Sequence, residues 1–365
     1  MSGSDPTGKR YSKMTSDKGE RLIFLVSQPR SGSTLLQRIL GGNPEIATCS
    51  ETWLLLRPLW GISTGTVPGT TPYNAVNAQL ALDDYLANLP GGVADYYSGC
   101  ALMYSYLYDR ALQKSGRRLY LDKTPRYYSI FREIAAVFPA ARFLILARHP
   151  LAVMESILRI FAKNDWARLY EFRDDLLIAP RAMLDARDCL GERAFYVNYE
   201  SLIANPPEVV GRICGFLGVS FDEAMVSGYM ENFPEWRWGD PVTIHERKGI
   251  SGDSLERWKE MLVDPQFRVA VAGYLDALGD DLVAALGYDP RVARAELEAR
   301  TIRSPTRMFC VGWNTLLCKE SDGVEPSKMA ERRYRWMCGL ARLRKRFYTA
   351  MTQRCRAVLK GLHVP

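Results

Sequence analysis

Histidine is scarce in this chain of 365 residues, with only His149, His245 and His363 present. The eight cysteines (Cys49, Cys100, Cys189, Cys214, Cys310, Cys318, Cys338 and Cys355) include no C-x-x-C pair. A zinc site needs such ligands clustered at characteristic spacings, and a disulfide framework needs a short, cysteine-dense chain. Neither is expected, no metal is expected, and the cysteines read as thiols. Also missing is any apolar run near the roughly 20 residues that span a bilayer, and Met1 to Glu20 is polar with no signal-peptide core. The expectation is a cytoplasmic protein. Low-complexity stretches and internal repeats are absent too, while a hydrophobic content of 47% suffices for one large core or two modest ones.

Charge is unevenly distributed. From Lys328 to Lys360 there are eleven Lys or Arg against the single acid Glu331, so the formal charge of +7 belongs to this segment. Trp336, Leu340, Leu343, Phe347, Met351 and Val358 recur there at helical spacing, which predicts a cationic amphipathic helix. Three readings stay open for it: a helix packed on the preceding domain, a contact with an anionic membrane surface or an acidic carrier, and, least favoured for want of a reader motif, nucleic acid. On the second reading the protein would sit peripherally at the membrane.

The strongest signal lies near the start. Leu22-Ile23-Phe24-Leu25-Val26-Ser27 has the length and character of a buried strand, Gln28-Pro29-Arg30-Ser31-Gly32-Ser33-Thr34 breaks it, and Leu35 to Leu40 has helical periodicity. The loop therefore sits at a helix N-terminus, where unpaired N–H groups and the helix dipole attract an anion and Gly32 allows close backbone approach. Arg30 adds charge; Ser31, Ser33 and Thr34 add hydroxyls. The P-loop pattern G-x-x-x-x-G-K-[ST] is not matched, since its first glycine and its lysine are both missing.

Strand-then-helix order recurs at 118–121 with 127–137, 142–147 with 151–160, and 194–197 with 206–217. Such repetition predicts an α/β fold, a P-loop-like parallel sheet flanked by helices on both faces, with ligands gathered beyond the C-terminal strand ends. An insertion, Thr52 to Gln113, should contain helices over 75–89 and 94–113, and its aromatics either line an acceptor pocket or pack those helices onto the sheet. Helices from 264 to 286 close the domain. The expected organisation is a flexible tail at 1–20, a catalytic domain at 21–290 and a basic helical C-terminal extension at 291–365.

The loop P-R-S-G-S-T-L-L resembles the one by which sulfotransferases hold the 5′-phosphosulfate of 3′-phosphoadenosine 5′-phosphosulfate (PAPS). Other segments carry the same resemblance. Arg148, after the strand at 142–147, and Ser156, eight residues on, match the R-x7-S pair that grips the 3′-phosphate of PAPS. Arg247-Lys248-Gly249-Ile250-Ser251-Gly252-Asp253 resembles the R-K-G-x-x-G-D lid over the same phosphate, although the usual Trp after Asp is replaced by Ser254. Tyr199, in Tyr199-Glu200-Ser201-Leu202, belongs to a largely structural Y-E-x-L stretch on the nucleotide side.

Cytosolic sulfotransferases carry a catalytic His after the strand at 118–121, whereas this chain reads Leu121-Asp122-Lys123-Thr124-Pro125-Arg126. Glu51 lies 21 residues after Arg30, the spacing of the catalytic Glu in tyrosylprotein sulfotransferases, and heparan-type enzymes place a Glu similarly. The resemblance implies Glu51 as general base, Lys123 and Arg30 as charge stabilisers, and a bacterial cytosolic relative of the Glu-base enzymes. It implies in-line sulfuryl transfer from PAPS to a hydroxyl of a small molecule, lipid or glycan, leaving 3′,5′-ADP. The alternatives are a P-loop kinase of a small metabolite and a non-catalytic nucleotide-binding or membrane-associated scaffold.

Overall fold

A computed structural model of the chain describes residues 18–56, 58–59, 75–229, 250, 252, 254–299 and 311–317. The chain divides into two compact units, Met1–His149 with Ile178–Gly252 and Pro150–Leu177 with Asp253–Pro365.

The first unit is built on five parallel strands: β1 (Leu22–Ser27), β2 (Ile46–Thr48), β3 (Leu119–Lys123), β4 (Arg142–Ala147) and β5 (Ala194–Asn198). Their order across the sheet is β2-β3-β1-β4-β5. All six residues of β1 are buried, which explains why its sequence does not alternate: both faces of a central parallel strand are covered. The chain leaves β1 for one edge, returns through β3 on one side and resumes at β4 on the other. The C-terminal end of β1 is therefore the point where the connections diverge, and the ends of β3 and β4 flank it.

Helix α1 (Ser33–Gly41) follows β1 directly and buries Leu36, Ile39 and Leu40. The insertion forms α2 (Ala75–Ala87) and α3 (Val93–Ser115), within a residue or two of the predicted spans. Cys100, Tyr104, Tyr108 and Leu112 recur every four residues on α3 and are its buried stripe. Phe24 on β1 gathers the rings of Tyr108, Tyr127, Phe138 and Phe143 at centroid distances of 6.3, 6.2, 5.7 and 5.6 Å. Of the insertion's described aromatics, Tyr104 and Tyr108 are buried, and Tyr108 packs on β1.

Three differences from the expected elements stand out. The three-residue strand β2 was not anticipated, because Ile46–Thr48 is too short to show periodicity. Residues 127–137 are not one helix but a 3-10 turn at Pro125–Ser129 and an α-helix at Phe131–Val137. The helix Ala179–Leu190, which packs on β4 and β5, also has no counterpart in the sequence reading.

In the second unit, Pro150–Ser156 is fully buried and passes into a π-helical turn, Ile157–Phe161. The helices expected over 264–286 are Pro265–Leu278 and Asp280–Ala285, which meet at Gly279. Asp264 caps the first of these through the Phe267 N–H. The segment at 311–317 is fastened to that helix by Tyr274, whose ring stacks on Trp313 at 4.8 Å, and by Gln266, which exchanges two hydrogen bonds with the Val311 backbone. No helix among the described residues is long and apolar enough to cross a membrane. The basic stretch at 328–360 lies outside the described residues.

Candidate active site

Strand register sorts the site residues before any side chain is considered. Asp122 pairs with Phe24 and Lys123 with Leu25, so the two successive residues of β3 point to opposite faces of the sheet. Lys123 emerges on the α1 side and Asp122 among the aromatic rings.

On the α1 side, the Lys123 ammonium donates to Glu51 Oε1 at 2.7 Å and to Thr34 Oγ1 at 3.3 Å. Only 1% of the Lys123 side chain and 15% of the Glu51 side chain is exposed, so this is a nearly buried ion pair. The other Glu51 oxygen accepts from the Trp53 indole N–H at 3.3 Å. Two residues predicted to act together, from segments 72 positions apart, are in direct contact.

The loop after β1 is held by backbone geometry. Gly32, at φ +91°, forms the N-cap of α1 and makes no side-chain cap, and the first turn of the helix holds no acid. A Cβ at Gly32 would lie 2.3 Å from Cε2 of Tyr199, so glycine is required both by the left-handed backbone and by the ring lying against it. The Arg148 guanidinium sits 4.5 Å from the centroid of that same ring and donates to the Arg30 carbonyl at 3.1 Å. Tyr199 thus lies against both the loop and the cation at the end of β4, which also reaches the loop directly. Glu200 contributes by accepting the His149 N–H at 3.0 Å, which fixes the turn that follows Arg148.

Ser31 Oγ is buried and has no hydrogen-bond partner among the described residues, an arrangement that costs free energy unless a ligand supplies the partner. Arg30, itself at φ +71°, lies in the loop, Lys123 reaches Thr34 in the first turn of α1, and Arg148 reaches the loop through the Arg30 carbonyl, with Glu51 the carboxylate paired to Lys123.

Behind Lys123, a network that the sequence reading did not anticipate fixes the Glu51 segment. Asp122 accepts from Tyr108 at 2.6 Å, from Tyr127 at 3.0 Å and from Thr52 at 2.9 and 3.0 Å. Thr52 Oγ1 also accepts the Leu54 N–H, and Thr124 Oγ1 accepts the Trp53 N–H at 3.2 Å. Trp53 is held at φ +52°, outside the ordinary range for an aromatic residue. Loss of hydration pushes the Asp122 carboxyl above its ordinary range, against the lowering effect of its three hydroxyl partners and of Lys123. Upstream, Gln37 of α1 donates to Thr48 Oγ1 and to the Cys49 carbonyl, tying the end of β2 to the same helix. A signal for the network was present in the sequence: an acid one position before Lys123 in a buried strand must find hydroxyl partners, and Tyr108, Tyr127 and Thr52 were available.

Ser33 opens α1 and is buried. Ser156 is the buried last residue of Pro150–Ser156, in the second unit. Arg247, Lys248 and Gly249 lie outside the described residues, as does His245.

The model of the Sulfotransferase family matches residues 22–223, more than half of the chain. The protein belongs to the sulfotransferase family. This sulfotransferase is similar to nodulation protein NoeE of Sinorhizobium fredii, 27% identical over 302 residues that cover 75% of this chain and 67% of NoeE. Protein-tyrosine sulfotransferase 2 of Gallus gallus is 25% identical over 309 residues, covering 80% of this chain and 74% of its own. Among solved structures, the sulfotransferase domain of the Synechococcus PCC 7002 olefin synthase matches with a TM-score of 0.49 and 26% identity, over 73% of this chain and 94% of that domain.

Proposed function

We propose that this sulfotransferase uses PAPS as donor and transfers its sulfuryl group in line to an acceptor hydroxyl, releasing 3′,5′-ADP. The observation that carries the reading is the Lys123–Glu51 contact beside the α1 N-terminus. It puts an acid–base group and a cation together at the edge of an anion-binding loop.

The residues present suit the donor. Ser31 Oγ, buried and without a partner among the described residues, and the uncapped α1 N-terminus offer donors to a 5′-phosphosulfate. When bound, PAPS supplies a sulfuryl group already attached to a phosphate leaving group. Ser31, Gly32, Ser33 and Thr34 hold the loop against that anion, and Arg30 and Lys123 offset the charge that gathers on the sulfuryl and bridging oxygens. Arg148 holds the 3′-phosphate; the family spacing adds Ser156 to that task, and Arg247, Lys248 and Gly249 to the lid.

Glu51 takes the acceptor's proton through its carboxylate, whose second oxygen is oriented by the Trp53 indole. The acceptor accordingly approaches from the side of Trp53, a residue 37% exposed whose ring centroid lies 5.8 Å from the Arg126 guanidinium. Asp122 is not an alternative base, because it is 1% exposed and saturated by hydroxyl donors.

The test is a thermal-shift comparison of 3′,5′-ADP, ADP and AMP, with and without Mg²⁺. A ligand at a hundredfold excess over its dissociation constant stabilises by about 2.7 kcal/mol. The expected result is a large shift with 3′,5′-ADP alone, independent of Mg²⁺ and diminished in Arg148→Ala. Equal shifts for ADP and 3′,5′-ADP, or a requirement for Mg²⁺, would favour the kinase reading instead.

A further inference from the structure

Helix α3 is amphipathic in an unusual way. Opposite its buried stripe, Leu102, Met103 and Tyr106 are 48, 51 and 44% exposed, whereas most large apolar side chains in the described residues are covered. Asp95, Gly99, Leu102, Met103, Tyr106 and Arg110 follow the spacings of a single helix face, and all six are exposed. Exposed apolar residues concentrated within two turns, rather than scattered, mark a docking surface.

The order of residues along this face identifies its occupant. Placing a two-fold axis between Leu102 and Met103, perpendicular to the helix, sets Leu102 of one copy against Met103 of the other. The same operation sets Tyr106 against Gly99 and Arg110 against Asp95. The largest side chain thus meets the position with none, and a Cβ built at Gly99 finds nothing within 4 Å, so the space is open. The cation meets an anion at both ends, which suits the self-complementary patch that two-fold symmetry demands. Within one copy, Asp95 accepts the Gly91 N–H and Arg110 donates to Gln113 Oε1, so both charges are held on the helix surface near its ends.

We propose that α3 is the interface of an antiparallel homodimer, with Tyr106 of each copy seated over Gly99 of the other and Arg110 paired with Asp95. Close approach of the two helices at Gly99 permits the ridge-and-groove packing that a bulkier residue would prevent. Nothing in this surface depends on the donor or on Glu51, so its failure would leave the catalytic reading untouched.

The experiment is sedimentation equilibrium on the full chain and its variants. Wild type is expected to populate a species of twice the 41.3 kDa chain mass at micromolar concentration. Gly99→Trp has room in the monomer and raises helix propensity, so it should keep the melting temperature of the monomer while raising the dimer dissociation constant at least about tenfold. Arg110→Glu should weaken the dimer, and Asp95→Lys with Arg110→Glu should restore it by exchanging the charges. A wild type that stays monomeric, as when a different protein occupies this face, overturns the proposal. So does a dimer indifferent to Gly99→Trp, or a charge exchange that fails to restore what Arg110→Glu removes.

Discussion

Lys123 Nζ lies 2.7 Å from Glu51 Oε1, with 1% of the lysine side chain exposed. Neither residue can then be altered without changing the surroundings of the other. Breaking a buried pair by removing one partner leaves an uncompensated charge, typically at a cost of about 3–5 kcal/mol. Lys123→Ala is predicted to lower the melting temperature and to reduce turnover by roughly 10²- to 10³-fold, because a charge aimed at the transition state is lost. Affinity for 3′,5′-ADP, measured calorimetrically, should change little. A variant with normal turnover would remove Lys123 from the chemistry.

Gly32 is predicted to tolerate no side chain. The left-handed backbone alone costs an alanine about 1–2 kcal/mol, and the Tyr199 ring would have to leave its place against the loop. Since that ring also carries Arg148, at 4.5 Å, Gly32→Ala should weaken 3′,5′-ADP binding as well as stability. Chemical denaturation and calorimetry on the one variant check both effects. Unchanged ligand affinity would show that Tyr199 does not transmit the position of the loop to Arg148.

Asp122 yields a pH-dependent prediction. Burial raises its folded-state pKa above the ordinary value of 3.8, so between those two values the folded chain binds more protons than the unfolded chain. Stability contributed by this group is therefore present at low pH and declines as pH rises through that window. Asp122→Asn cannot titrate and should flatten that part of the melting-temperature profile. It should also loosen Thr52 and with it Glu51, and so lower turnover without altering the affinity for 3′,5′-ADP. A profile identical to wild type would mean that the carboxyl is not perturbed by burial.

Much of this arrangement was legible in the sequence because it rests on short-range chemistry. The apolar runs at Leu22–Ser27 and Arg142–Ala147 gave β1 and β4 to the residue, whereas α1 begins at Ser33, ahead of the Leu35 where the helical periodicity starts. The spacing that singled out Glu51 also led to a residue in contact with Lys123. What was hidden is long-range. β2 has only three residues and exists because the edge of β3 offers it a partner. The Asp122 network joins β3, α3, the turn at Pro125–Ser129 and the Thr52 segment, none of which signals the others locally. The contact of Tyr199 with Gly32 is likewise long-range and has no local signal in the Y-E-x-L stretch.

The most direct test of Glu51 as general base is single-turnover transfer of radiolabelled sulfuryl from PAPS to a screened acceptor hydroxyl, comparing wild type with Glu51→Gln. The amide keeps the size and can still accept a hydrogen bond from Lys123, but it cannot take the acceptor's proton. The predicted result is a rate lower by roughly 10²- to 10⁴-fold with PAPS binding preserved. Near wild-type transfer by Glu51→Gln would contradict it.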